Sequence, residues 1–303
     1  MRISTAQIQE RGLNAMIDRQ DVLSHTQQQL ATGKRILTPS DDVYGTTQAL
    51  ALKQVIANHE QYKVNANVAR HRVVQEETKL DQAIDQLQRM NELAVQSNGA
   101  SVTAVGKDQI AIEVRELLSS LVALGNTKDS NGDYMFAGNA VATQPFTGPV
   151  AGNYTYNGDS GQRSIQVGDS RQVAINDPGD AVFENVPLSP ASGGGTQMLF
   201  DTLEDFAADL EANTPNTAIL DDLQLAMEHL SSFRTKSGAR QNVVESQNLL
   251  NDDVIVQGQV TLSEVQDLDF AEAISRMNLQ LAGLEASQQT FAQIQNLSLF
   301  NFL

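Results

Sequence analysis

Cysteine and tryptophan are both missing from this sequence, and aromatic residues of any kind make up only 5% of its 303 positions. Without cysteine there can be no disulfides and no thiolate metal sites, and the chain suits either redox compartment. With so few large rings, a core has to be assembled from Leu, Ile, Val, Met and Ala. Long apolar runs are absent too. No stretch reaches the roughly 18 uncharged apolar residues of a membrane-spanning helix, and the segment from Met1 to Gly12 holds no apolar core of a signal peptide. The expectation is a chain with no membrane partner and no cleaved secretory signal, for which export by another route stays open.

Positive charge thins out along the chain. Residues 1–100 carry 11 basic and 11 acidic groups, whereas residues 201–303 carry 4 and 16, within a net charge of -17. Such a surface repels phosphate backbones, which argues against a nucleic-acid partner. Acidity of this kind also simply favours solubility. A sharper reading places the acidic C-terminal third beside the neutral N-terminal third, in the same chain and on neighbouring copies.

Glycine and proline are rare at both ends and crowd the middle. Gly148, Pro149, Gly152, Gly158, Gly161, Gly168, Pro178, Gly179 and Pro187 lie between Pro145 and Pro190, and Gly193, Gly194 and Gly195 follow. This composition shift divides the chain into helical, β-rich and helical parts. In the outer parts apolar residues recur at alternating steps of three and four. Leu80, Ile84, Leu87, Asn91 and Ala94 form one such row; Ile110, Val114, Leu117, Leu121 and Leu124 form another. Leu199, Leu203, Phe206 and Leu210, and then Ile219, Leu223, Ala226, Leu230 and Phe233, continue the pattern. Near the start Leu13, Met16, Leu23 and Leu30 make an N-terminal stripe, and Ile274, Met277, Leu281, Leu284 and Phe291 make a C-terminal one. The spacing fits coiled-coil seams and ordinary bundle helices equally. The rows are narrow and flanked by Gln, Asn, Asp and Ser, so each helix needs neighbours to bury it. In the middle, Tyr154 and Tyr156, then Ile165 and Val167, then Val173 and Ile175 alternate with polar residues across Asn157-Gly158 and Gly168-Asp169 turns. That is the pattern of a short antiparallel meander.

No catalytic constellation emerges, and no cofactor or metal site is expected. His25, His59, His71 and His229 lack metal-ligand spacing and read as polar residues on helix surfaces. Gly99 to Asp108 has the wrong length for a phosphate loop, and Gly193-Gly194-Gly195 follows no suitable strand. Asp129-Ser130-Asn131-Gly132-Asp133 imitates the opening of a calcium loop, but Tyr134 and Ala140 stand where Gly and Glu are required, so a turn is predicted. Asp267-Leu268-Asp269 reads as the cap of a following helix.

The stretch Gln29-Leu30-Ala31-Thr32-Gly33-Lys34-Arg35-Ile36, followed by Thr38-Pro39-Ser40-Asp41-Asp42, resembles the flagellin family, in which a Gly-x-Arg-Ile run and an Asp-Asp turn join the terminal helix to the rod. Local chemistry agrees: Gly33 can end a helix, Pro39 follows, and Ser40 or Asp41 can cap the next. The segment from Leu87 to Gln96 and the tail from Asp267 through Ile274 to Ser298-Leu299-Phe300 are similar to further family segments. Met1-Arg2-Ile3-Ser4-Thr5, the Gln27-Gln28-Gln29 run, Gly132 to Gly138, the small insert and the ending Asn301-Phe302-Leu303 resemble members that join hook to filament more than filament flagellin.

The resemblance implies a mainly α fold with a small β insert: long coaxial terminal helices, a helical rod domain and an outer antiparallel β domain. The expected divisions are 1–40 with 262–303 for the terminal helices, 41–144 with 193–261 for the rod, and 145–192 for the insert. It implies a non-enzymatic subunit of the bacterial flagellum, located outside the cell after type III export. Its partners would be copies of itself in a ring, an adjacent hook-associated protein, filament flagellin or a second junction protein, and a cytoplasmic export chaperone. The two terminal stripes would make the subunit and chaperone contacts, and Gly33, Pro39, Ser40, Asp41 and Asp42 the inter-domain turn. The alternatives are a minor filament flagellin and, from a different class, a secreted coiled-coil adhesin or effector.

Overall fold

The computed structural model of the protein describes residues 5–99, 102–150, 153–214 and 216–300. Met1 to Ser4 and Asn301 to Leu303, which contribute to the family resemblance, lie outside the described residues, as do the side chains of residues 294–300. Six α-helices carry the fold: α1 (Thr5–Thr32), α2 (Val43–Ser97), α3 (Ala104–Gly125), α4 (Leu199–Glu211), α5 (Ile219–Gln266) and α6 (Phe270–Phe300). Between α3 and α4 lie six short strands: β1 (Phe146–Val150), β2 (Asn153–Tyr156), β3 (Ser164–Gly168), β4 (Arg171–Ala174), β5 (Val186–Pro187) and β6 (Thr196–Gln197). The mainly α fold with a small antiparallel β insert is the one expected.

Two compact units divide the chain, residues 1–58 with 253–303 and residues 59–252. Helices α2 and α5 are continuous through the division. In the first unit α1 packs along α6, and Ile56 meets Gly258 closely enough that an added Cβ there would lie 2.9 Å from its Cγ1.

The second unit holds the main core. Most of the rows read from the sequence are buried in it: Leu80, Ile84, Leu87 and Ala94 of α2; Ile110, Val114 and Leu121 of α3; Leu199, Leu203, Phe206 and Leu210 of α4; and Ile219, Leu223, Ala226, Leu230 and Phe233 of α5, while Asn91, Leu117 and Leu124 are only partly covered. The insert enters the same core through Phe146, Val182, Phe183 and Val186. Phe146 stacks edge-on against Phe183 and Phe200, with ring centroids 5.5 and 5.0 Å away, a geometry that suits the ring quadrupoles. Asn126, just past the end of α3, pins β1: its side chain donates to the Phe146 carbonyl and accepts from the Phe146 N–H, both at 2.9 Å.

The strands pair as β1–β2, β3–β4 and β5–β6, all antiparallel. They form three separate two-stranded ladders in place of the single meander that alternation suggested. The β3–β4 hairpin packs elsewhere, with Val167 and Val173 against Ala66 and Ala69 of α2 and Val244 of α5. Alternation reports which face of a strand is apolar, not which element covers it.

Two histidines depart from the surface positions expected. His59 is buried, its Nδ1 2.9 Å from the Asn251 side-chain oxygen, while the Asn251 amide donates to the Val167 carbonyl at 2.9 Å. His229 is half-buried with Nε2 2.9 Å from the Ala181 carbonyl. Both lie under the insert, whose long-range return to the helices spacing along one helix cannot reveal. The calcium-loop lookalike is a turn: Asp129 Oδ1 accepts from the N–H groups of Asn131 and Asp133 at 2.8 and 3.1 Å, and Arg72 sits 2.9 Å from its other oxygen.

Candidate assembly site

The sequence directs attention to the terminal helices and the turn that joins them to the rest, all within the first unit. Helix α1 stops because Gly33 takes a left-handed conformation, φ +69°, and its N–H returns to the Gln29 carbonyl at 2.8 Å. Glycine adopts that conformation without the Cβ clash other residues suffer. The chain then crosses the α5–α6 connection. Arg35 N donates to the Gln266 carbonyl at 2.8 Å and Leu268 N to the Gly33 carbonyl at 3.0 Å, an antiparallel bridge centred on Lys34 and Asp267. Arg35 reinforces the crossing. Its guanidinium donates to the Val265 carbonyl at 2.8 Å and to Asp42 at 3.1 Å, and its own carbonyl accepts from the buried Gln29 amide at 2.6 Å.

The Asp-Asp pair divides the remaining work. Asp41 folds back: Oδ2 accepts from the N–H groups of Leu37 and Thr38, each at 2.9 Å. These backbone donors, Thr38 first, hold the Asp41 carboxyl down at about 2, as hydrogen bonds to the charged form do. Asp42 caps α2, accepting the Gly45 N–H at 2.8 Å, and that bond lowers its pKa as well. The cap is therefore Asp42, not the Ser40 or Asp41 anticipated, because α2 begins at Val43 and the cap is the residue just before it. Gly45 has to be glycine here, since a Cβ would lie 2.5 Å from Asp42 Oδ2 and 2.7 Å from Ile36 Cδ1. Pro39 and Ser40 are exposed in the turn. On the other crossing segment Asp269 caps α6, accepting from Ala271 N at 2.9 Å and Glu272 N at 3.2 Å, as Asp267-Leu268-Asp269 suggested.

Beyond the turn the two terminal helices run together, and the structure sorts their stripe residues into two groups. Leu23 is buried, and Met16, Leu30, Met277, Leu284 and Phe291 are partly covered. Leu13, Ile274 and Leu281 remain 49%, 47% and 36% exposed. Much of the facing surface is small or polar. A Cβ on Gly12 would sit 3.1 Å from the Phe291 ring and one on Gly283 2.6 Å from the Arg19 guanidinium. Gly12, Ala15, Gly283, Ala286 and Phe291 border an open groove of about 420 Å³. Arg276 reaches Gln29 at 3.5 Å. Sequence reading missed Gly12, Ala15, Gly283 and the crossing role of Arg35. The first three carry almost no weight in a hydropathy pattern, although their spacing along α1 and α6 is helical. Beside the pair, Ile17, Val22, Phe270 and Leu279 are exposed as well.

The bacterial flagellin N-terminal helical region matches residues 3–141, and the bacterial flagellin C-terminal helical region matches residues 220–303. The segments that build the terminal helices and their turn thus match one known class, and the chain belongs to the bacterial flagellin family. Within that family it is similar to flagellar hook-associated protein 3 of Escherichia coli, with 29% identity covering 99% of both chains. The same protein of Salmonella typhimurium is 26% identical, again over 99% of both. Its fold resembles that of flagellar hook-associated protein-3 from Legionella pneumophila, with a TM-score of 0.66 and 24% identity over 71% of this chain and 98% of that one.

Proposed function

We propose that the chain is a structural, non-enzymatic subunit of the bacterial flagellum that joins hook to filament. The observation that carries this reading is that several apolar side chains stay exposed on the terminal helices: Leu13, Ile17, Val22, Ile274, Leu279 and Leu281. Apolar surface gathered on paired helices costs free energy in water and is relieved by neighbours. Likeness to hook-associated protein 3 along the full length supports the junction as the place where those neighbours stand. On this reading copies of the chain form a ring through α1 and α6, between an adjacent hook-associated protein and either filament flagellin or a second junction protein. The subunit reaches that place through the flagellar type III apparatus, after release from an export chaperone.

Electron microscopy of flagella from a strain lacking this gene tests the reading. The expected result is hooks without filaments, with monomeric flagellin in the medium and filaments restored by complementation. Filaments that persist but are shorter or weaker would overturn the junction role in favour of a minor filament flagellin.

A further inference from the structure

Away from the terminal helices, the second unit holds a cluster of charged side chains. Glu76 of α2 is almost fully buried, with Oε1 accepting the Asp177 N–H at 2.8 Å. Arg240 of α5 donates to Asp177 at 2.6 and 2.9 Å and lies 3.7 Å from Glu76 Oε2. Nearby, Arg72 stands 2.9 Å from Asp129, and Arg163, just before β3, stands 3.7 Å from Asp133. Four polar atoms of this cluster are buried without an aligned hydrogen-bond partner: Glu76 Oε2, Asp129 Oδ2, and Nε and Nη2 of Arg163. The three residues that carry these four atoms, Glu76, Asp129 and Arg163, line one cavity of about 10 Å³.

That volume is close to the least that accommodates a water molecule, which also needs two to four polar partners. The partners decide what kind of occupant fits. The Nε–H and Nη2–H of Arg163 require an acceptor, whereas Asp129 Oδ2, 2.9 Å from the Arg72 guanidinium without an aligned hydrogen bond, has room for a further donor. A metal cation offers no acceptor and a halide offers no donor. Burial, with the Asp177 carboxylate beside it, pushes the Glu76 carboxyl up to about 8, and an ion brought in among these buried groups would carry a desolvation cost.

We propose that this cavity is an internal hydration site holding one water molecule, which accepts from the Arg163 guanidinium and bonds to Asp129 Oδ2 and Glu76 Oε2. The water joins three parts of the chain that backbone hydrogen bonds do not link directly: α2, the turn at 129–133, and the arm leading into β3.

A high-resolution crystal structure of the full chain tests this, together with Glu76→Gln and Glu76→Met variants. The expected result is a single ordered water within hydrogen-bond distance of Arg163, Asp129 and Glu76, kept in the Gln variant and lost in the Met variant. In solution, a nuclear Overhauser cross-peak between Arg163 Nε–H and a slowly exchanging water should accompany it. Direct pairing of Arg163 with Asp129 across a closed cavity would overturn the proposal. So would density with the coordination of an ion. If the Met variant does not fold, wild type and the Gln variant still decide between these outcomes.

Discussion

Glu76 is a carboxyl group at 2% exposure, and its ionisation is tied to folding. Burial first, and the Asp177 carboxylate second, raise its pKa from the ordinary 4.5 to about 8. The folded state therefore binds this proton more tightly than the unfolded chain does. Its contribution to stability is complete below pH 4.5, falls as pH rises toward 8, and is gone above that. Glu76→Gln keeps the volume and the acceptor for the Asp177 N–H but cannot ionise. The variant should match wild type at pH 4.5 and become progressively more stable than it up to pH 8, by on the order of a few kcal/mol. Urea denaturation across that range reads the difference, and parallel pH profiles for the two proteins would refute it. Nothing in the sequence marks Glu76 out from Glu77, since both are acidic residues in a helical stretch. Only the return of Asp177 from the insert, a hundred residues on, buries one and leaves the other near the surface. By contrast Gly33, Asp41 and Asp42 were legible, because turn and cap chemistry is settled by residues within a few positions of each other.

At the scale of elements, helices were read well and strands only in part. A row such as Ile219, Leu223, Ala226, Leu230 and Phe233 carries its own period, and all five residues are buried. Strands β5 and β6 have two residues each, and β1 carries Gly148 and Pro149 in place of a clean alternation, so no period-two pattern announces them. Hairpin β1–β2 is bound into the core of the second unit: Phe146 touches Phe183 and Phe200, and Tyr154 N donates to Asp201 of α4 at 2.7 Å. Removing a fully buried ring in such a site leaves a cavity that the surroundings only partly fill. Phe146→Ala should therefore cost about 3–5 kcal/mol, and thermal unfolding of the second unit should show it. A loss well under ~1 kcal/mol would mean that the insert is a separable element, whose replacement by a Gly/Ser linker the rod would tolerate. The terminal helices show a related limit of reading. Leucines dominate the visible stripes, while Gly12 and Gly283 leave room for Phe291 and Arg19 of the facing helix.

For the whole molecule, the question is what covers α1 and α6 before and after assembly. The C-terminal stripe has two candidate partners in turn, an export chaperone and then neighbouring subunits, and an amphipathic helix can serve either by laying its apolar face in a groove. Leu281 is 36% exposed and Leu284 partly covered, so both can be shortened with little damage to the second unit, which has its own core. Occupation by a chaperone excludes occupation by a subunit, so assembly would release the chaperone if one face serves both. The double variant Leu281→Ala, Leu284→Ala should then weaken chaperone binding at least tenfold, equivalent to about 1.4 kcal/mol, and lower the number of filaments in complemented cells. Thermal unfolding of the second unit should stay within about 0.5 kcal/mol of wild type, as expected when sites are distant and share no partners. Calorimetric titration of the chaperone against both proteins, paired with filament counts, separates the cases. Unchanged chaperone affinity alongside lost filaments would assign the two partners to different faces of α6, with the exposed Ile274 and Leu279 the next residues to shorten.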